Sequence, residues 1–305
     1  MGDKGKGLVA TRRIAQYSVI LEEDPVLVKD LNNNQDDRKL WEDFQNLSPS
    51  GFRAPGLSSE VLKLFDPQPG EYDGTEISAQ SKLKRIMAVN SIKYDNKLTK
   101  KITQNLYLRI SRINHSCNPN TVWRSSDTSN RCSMVALVTI EKNQEMTVNY
   151  FYDLTDPRGG FCLGYHQRQQ KLRNLFSFQC LCQVCQQVGR VLSGAPQHLT
   201  AQGEAEDQLR AEYRSLDLLE ETFTQLNARD LLNKAENKLA LGRRLDNQVF
   251  FRDLIDCLIL LRFNLGFCQE PVRRLELTMK ISQLRGEAVL AVKCYPDHLR
   301  LGVMI

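Results

Sequence analysis

The sequence predicts an α+β chain of 305 residues, β-rich through about residue 150 and all-α beyond about residue 205. Three observations predict it. Short apolar runs of β-type residues, broken by Gly and Pro, bracket the first part. A stretch rich in Gly, Ser, Ala and Pro then covers 189–204 and reads as a linker. Beyond it Leu209, Tyr213, Leu216, Leu219, Phe223 and Leu226 recur at three- and four-residue spacing, which makes one face of an amphipathic helix.

Taken in order, Leu8–Ala10, Val19–Leu21 and Val26–Val28 read as short strands. The polar run Asn32–Asp37 ends that block. Residues 38–47 and 57–65 read as short helices, and a Pro-, Gly- and Asp-rich loop covers 66–75. Helical periodicity through Leu83, Ile86, Met87 and Asn90 predicts a helix over 76–93. Strands return at Thr121–Arg124, Ser133–Ile140 and Met146–Tyr152. After 205, further helices are predicted over about 229–243, 249–265 and 271–294, in pairs with short turns, as in a repeat-like antiparallel array. The sequence stops on the apolar Leu301–Ile305, so the expectation is a helical domain cut short.

Composition excludes several classes. No apolar run approaches the roughly 18 residues that span a bilayer, and no secretory signal opens the chain. A cytosolic or nuclear protein is expected, with no membrane partner. The net charge of +5 is too mild to argue for direct nucleic-acid binding. Nine cysteines without a secretory signal argue against a disulfide framework. Cys180, Cys182 and Cys185 cluster as C-x-C-x2-C, which by spacing alone is as compatible with buried structural thiols as with a metal site.

The strongest local signal is Arg112-Ile113-Asn114-His115-Ser116-Cys117-Asn118-Pro119-Asn120, followed some thirty residues later by Glu145-Met146-Thr147-Val148-Asn149-Tyr150. Together they resemble the two signature motifs of SET domains. Gly5-Lys6-Gly7-Leu8 resembles that family's glycine-containing entry motif, and the cysteine cluster its post-SET segment. The four occur in the family's order and cover roughly residues 3–185. Within SET proteins the chain most resembles the SET-and-MYND family. Leu172-Arg173 ends the helix before the cluster, Phe178 stands two residues before Cys180, and Val89–Ile92 and Leu106–Ser111 resemble the segment preceding the Asn-His motif. Tyr295-Pro296-Asp297-His298-Leu299 is similar to part of that family's C-terminal helical domain. The MYND zinc finger is absent, since residues 1–116 contain no cysteine.

The resemblance implies a SET-domain β-fold with a helical insertion at about 31–90 and a post-SET zinc site at 180–185, all within 1–188. A linker at 189–204 and an all-α, TPR-like helical domain at 205–305 would follow. That domain is expected to wall one side of the substrate cleft. It further implies a protein lysine methyltransferase that uses S-adenosylmethionine. Lys4, Gly5 and Lys6 would supply donors for the cofactor carboxylate, glycine letting the backbone approach closely. Asn114 and His115 would hold adenine and the amino-acid end, Asn90 and Ser111 would add weaker contacts, and Phe178 would stack on adenine. Cys117 would complete a structural zinc site with Cys180, Cys182 and Cys185.

Tyr150 is the catalytic candidate that follows, because in-line methyl transfer needs a neutral amine aligned behind the methyl and a hydroxyl can orient it. Tyr152, two residues on in an extended segment, would share its face. Two departures touch this site: Phe176 stands where the family commonly has tyrosine, and Trp123 falls near a position that limits methylation multiplicity in some SET enzymes. The expected partner is a lysine-bearing protein, histone or non-histone, and the expected state a monomer. The alternative is a SET-fold scaffold that binds protein partners with little or no activity.

Overall fold

A computed structural model describes residues 7–32, 37–47, 57–64, 78–96, 100–125, 130–151, 163–190, 198–199, 201–216, 228–245 and 251–294. Lys4, Gly5, Lys6, Tyr152 and the segments 66–75, 217–227 and 295–305 lie outside the described residues. The chain forms two compact units. One comprises Met1–Ser116, Asn120–Gly159 and Gln169–Cys180, the other Cys117–Pro119, Gly160–Arg168 and Leu181–Ile305.

The first unit contains, in chain order, β1 (Leu8–Val9), β2 (Val19–Glu23), β3 (Leu27–Asp30), α1 (Asp37–Gln45), α2 (Leu57–Leu62), α3 (Ala79–Asn90), β4 (Ile92–Asn96) and β5 (Lys101–Leu106). A single 3₁₀ turn, Ile110–Arg112, leads to β6 (Asn114–His115), β7 (Thr121–Ser125), β8 (Cys132–Ala136) and β9 (Glu145–Val148). The strands pair as β1-β9-β6, β2-β8-β7 and β3-β5-β4. Every residue of β8 is buried. A strand flanked by β2 and β7 and covered on both faces has no solvent side, so its apolar residues run continuously instead of alternating.

Helices α1 and α3 follow the 3.6-residue period. Leu40 and Phe44, four apart, are the buried face of α1, and Leu83, Ile86 and Met87 that of α3. These residues and Leu27, Leu47, Val61, Leu64 and Leu106 form one core cluster. Ser78 caps α3 by accepting the Ser81 N–H at 3.1 Å.

Three expectations change here. The helix predicted over 76–93 stops at Asn90, because Ser91 is extended (φ −81°, ψ 149°) and the chain enters β4. Periodicity missed this since β4 and β5 are polar on one side and win their place by pairing with each other. The strand predicted to Tyr152 ends at Val148. Asn149 Oδ1 accepts the Phe151 N–H at 3.0 Å, a local turn bond that competes with the ladder. Likewise β8 ends at Ala136, short of Ile140, which makes only an isolated bridge to Ile14.

Helix α4 (Tyr165–Phe176) comes next in the chain. In the second unit follow α5 (Gln183–Val188), β10 (Gly189–Arg190), β11 (His198–Leu199), α6 (Ala201–Ser215), α7 (Ala228–Arg244), α8 (Phe251–Phe267) and α9 (Pro271–Cys294). Successive helices from α5 to α9 pack on one another. Leu254, Cys257, Leu258, Leu260 and Leu261 are buried, so α8 is apolar around much of its circumference and sits between α7 and α9. Pro271 opens α9, where its missing N–H costs nothing. The stretch expected as linker is partly structured, since β10 pairs with β11 and α6 begins at Ala201. Among the described residues no helix is long and apolar enough to cross a membrane.

One carboxylate organises the approach to β6. Glu23 accepts the backbone N–H of Leu108 at 2.9 Å, of Arg109 at 3.1 Å to both oxygens, and of Ile110 at 3.0 Å. Glu23→Ala strips acceptors from three consecutive amides, and a lost acceptor of this kind costs about 1–3 kcal/mol. Urea denaturation of the variant should show a loss of at least that size, where a neutral surface change would leave the midpoint in place.

Candidate active site and metal centre

The two motifs noted in the sequence meet in the first unit through β6 and β9. They pair in parallel, Asn114 with Thr147 and His115 with Val148. The Ser116 N–H donates to the Val148 carbonyl at 2.9 Å. Asn120 extends the pairing with its side chain. Its Nδ2 donates to the Glu145 carbonyl at 2.8 Å and its Oδ1 accepts the Thr147 N–H at 2.8 Å. Thr121 adds a bond from Oγ1 to the Thr147 carbonyl at 2.8 Å. A two-residue strand is marginal alone; these side chains supply the bonds its length cannot.

Asn114 Nδ2 donates to Glu145 Oε1 at 2.7 Å. Gly7 closes over this pair. A Cβ at residue 7 would stand 2.5 Å from Asn114 Nδ2 and 2.8 Å from Glu145 Oε1, so any other residue here would have to push this pair aside. His115 is buried, and its Nδ1 accepts the Tyr150 N–H at 3.0 Å. That bond leaves the imidazole proton on Nε2. Tyr150 is thereby held at its backbone by the motif it faces.

The Tyr150 hydroxyl donates to the Ile113 carbonyl at 2.8 Å. Burial, and then the charge of Glu145, push its ionisation well above the ordinary tyrosine range. The phenol therefore stays neutral at physiological pH and cannot serve as a general base. With its proton committed to Ile113, its oxygen lone pairs are what it can offer a ligand. Tyr150 lines a cavity of about 190 Å³ together with Asn90, Ser111, Trp123 and Phe176 and the apolar Val89, Ile92, Ile110, Ile113 and Val148; Ser91 and Lys93 complete the lining. Apolar walls with few converging polar groups suit a ligand with an aliphatic stem and a polar tip.

Aromatic rings gather around Tyr150. Phe176 lies 5.0 Å from its centroid and Phe178 6.3 Å away. His115 is 5.3 Å from Tyr150 and 6.2 Å from Phe178. Of the residues singled out in the sequence, the cavity thus unites Asn90, Ser111, Tyr150, Trp123 and Phe176. Asn114, His115 and Phe178 adjoin Tyr150 or β9 without lining it. The Ser111 hydroxyl donates to the Asn90 carbonyl at 2.8 Å, which ties the end of α3 to the 3₁₀ turn. Tyr150 follows the end of β9 in a turn, and Tyr152 lies outside the described residues. Sequence reasoning passed over Glu145 and Asn120, although both stand in the motifs it quoted, and over Glu23, which carried no local signal.

Cys117, Cys180, Cys182 and Cys185 are all buried, and their sulfurs all lie within 4.8 Å of one another. The Cys117 and Cys185 sulfurs are 3.5 Å apart, and none of the four cysteines is in a disulfide. Zinc held by four thiolates at about 2.3 Å places its sulfurs about 3.8 Å apart, so the donor set fits a closed tetrahedral zinc site. Gln169 fixes the backbone at Cys180 from both sides: its Oε1 accepts the Cys180 N–H and its Nε2 donates to the Cys180 carbonyl, each at 2.9 Å.

Residues 5–151 match the family model for the SET domain. The comparison with curated proteins returned no match. Among solved structures, the chain is similar to a humanized mutant of the Chaetomium thermophilum Polycomb Repressive Complex 2 bound to an inhibitor, at 14% identity and a TM-score of 0.25, covering 92% of this chain and 31% of that one. It is also similar to that complex in an autoinhibited apo state, at 13% identity and a TM-score of 0.26, covering 98% of this chain and 32% of the other. The same complex in an autoinhibited conformation bound to S-adenosylmethionine aligns at 14% identity and a TM-score of 0.27, covering 99% and 32%. This chain thus spans about a third of those chains, and scores this low do not define a common fold. By the family match, residues 5–151 carry a SET domain.

Proposed function

We propose that this chain is an S-adenosylmethionine-dependent protein lysine methyltransferase of the SET-and-MYND type without the MYND finger, with a structural zinc and a TPR-like helical domain. The observation that carries the reading is Tyr150, a neutral phenol in an apolar cavity, fixed at its N–H by His115 and at its hydroxyl by Ile113. S-adenosylmethionine, when bound, supplies a methyl group on a sulfonium sulfur. The rest falls to the chain. A lysine entering the cavity would lay its aliphatic stem along Val89, Ile92, Ile113 and Val148. Its amine would donate an N–H to the Tyr150 oxygen, leaving the nitrogen lone pair directed away from the phenol. Apolar walls disfavour the ammonium form, so the amine enters or becomes neutral by desolvation, its proton passing to solvent. Asn114, His115, Asn90, Ser111 and Phe178, with Lys4, Gly5 and Lys6, are the residues proposed to hold the cofactor. The substrate proposed is a lysine-bearing protein, histone or non-histone, in the nucleus or cytoplasm, met by a monomer.

A second reading, a SET-fold scaffold that binds protein partners with little activity, draws on one observation. The Phe176 ring stands 5.0 Å from Tyr150 without the hydroxyl that a tyrosine would bring there, so the cavity has one fewer polar anchor.

Two measurements bear on these readings. Tyr150→Phe keeps the ring against its neighbours and deletes only the hydroxyl, so fold and cofactor affinity should hold while methyl transfer to protein drops roughly a hundredfold or more. Transfer at the wild-type rate in this variant would remove Tyr150 from the mechanism, and wild-type protein that binds no S-adenosylmethionine by calorimetry would favour the scaffold. Independently, metal analysis of the purified chain should return about one zinc. Cys182→Ser should lower both zinc content and thermal stability, because binding at such a site is folding free energy; unchanged stability would mean the cysteines are only packed thiols.

A further inference from the structure

Among the described residues other than glycine, Tyr17, Lys100, Asn143 and Ser177 have a positive φ, and only Ser177 adjoins in sequence a residue that lines the cavity, Phe176. Left-handed backbone is unfavourable for a residue with a Cβ, and such residues cluster at sites whose geometry depends on them. Ser177 (φ 59°) directly follows the last residue of α4, the position where helices most often place glycine. Its N–H donates to the Arg173 carbonyl at 3.0 Å, which closes the helix, and its Oγ accepts an N–H from Arg85 of α3 at 3.3 Å.

The turn decides where the two flanking rings go. Side chains two apart in a helix point about 200° from each other, so a continuing α4 would carry Phe176 and Phe178 to opposite sides. Instead both rings stand beside Tyr150, at 5.0 and 6.3 Å, and 6.5 Å from each other. Phe176 walls the cavity, while Phe178 lies 6.2 Å from the His115 ring. Ser177 is itself exposed, so core packing does not account for it. We propose that Ser177 is a positioning residue, whose left-handed turn aims Phe176 and Phe178 together at Tyr150. Its consequence for catalysis rests on the methyltransferase reading above; its consequence for the rings does not.

The test uses the full chain with isotope-labelled tyrosine. The Tyr150 ring signal in the NMR spectrum, assigned by its loss in Tyr150→Phe, is displaced by the ring currents of the aromatic rings around it. Ser177→Gly forfeits the Arg85 bond but adopts a positive φ freely, so it should keep the wild-type signal and most of the activity. Ser177→Val, whose branched side chain opposes that φ, should move the signal. It should also weaken S-adenosylmethionine binding in calorimetry and lower kcat for methyl transfer, each on the order of 10-fold, since small misplacements at a reacting centre are costly. An unmoved Tyr150 signal in Ser177→Val overturns the proposal, as does an equal shift in Ser177→Gly, which would make the hydroxyl and not the turn the requirement. A moved signal with wild-type binding and transfer overturns the role in catalysis. Wild type that neither binds the cofactor nor transfers a methyl group sinks the methyltransferase reading alone, and the tyrosine spectra then decide the turn. Should Ser177→Val fail to fold, Ser177→Ala, which also disfavours a positive φ, takes its place.

Discussion

Asn114 and His115 lie parallel to Thr147 and Val148, and most of the first unit's site chemistry descends from that two-residue pairing. A parallel pair cannot be closed by a tight turn, so the intervening chain must leave and return. Here it does so through β7 and β8, which pack on β2 in a separate sheet. The pairing places the Tyr150 N–H against the His115 ring and the Tyr150 hydroxyl against the Ile113 carbonyl. One tyrosine is thus gripped at both ends by a segment some thirty-five residues earlier, and its position in the cavity leaves little rotational freedom to lose when a ligand arrives.

The pairing is short, and polar side chains do the work that strand length does elsewhere. The Asn120 side chain bonds the backbone of β9 at Glu145 and Thr147 and Thr121 adds a bond to Thr147, so the ladder continues beyond β6 in side-chain form. Gly7 then admits β1 close against the Asn114–Glu145 pair. Core packing reinforces this: Ile92, Ile110, Ile113, Met134 and Val148 form one buried cluster on which Tyr150 and Trp123 rest. Catalytic candidates and core are continuous here, which means a cavity-forming change at Ile113 would move the site as well as weaken the fold.

Helix α4 shows how neighbouring residues on one element take different tasks. Gln169 clamps the Cys180 backbone, Arg168 is buried with a bond to the Leu163 carbonyl, and the Phe176 ring at the helix end lies tilted 5.0 Å from that of Tyr150. Leu172, fully buried, is the only apolar anchor between them. Arg168 and Gln169 are as buried as Tyr165 and Leu172, so amphipathic patterning says little about which side of α4 is inside.

What the sequence determined by itself was local. The 3.6-residue period located α3 and, from Leu209, α6, because burying one face of a helix imposes that period wherever the helix goes. The motifs Asn114–Asn120 and Glu145–Tyr150 and the spacing of Cys180, Cys182 and Cys185 were legible because the residue types themselves carry chemistry. Tertiary structure alone decided the rest. Strand β5 (Lys101–Leu106) has no apolar alternation and holds its place by pairing with β3 and β4, and the end of α3 at Ser91 leads into that pairing. Nothing local to Glu23 marks it as the acceptor for three amides more than eighty residues away. The same holds for Cys117, which family resemblance named but whose nearness to Cys185 is a product of folding.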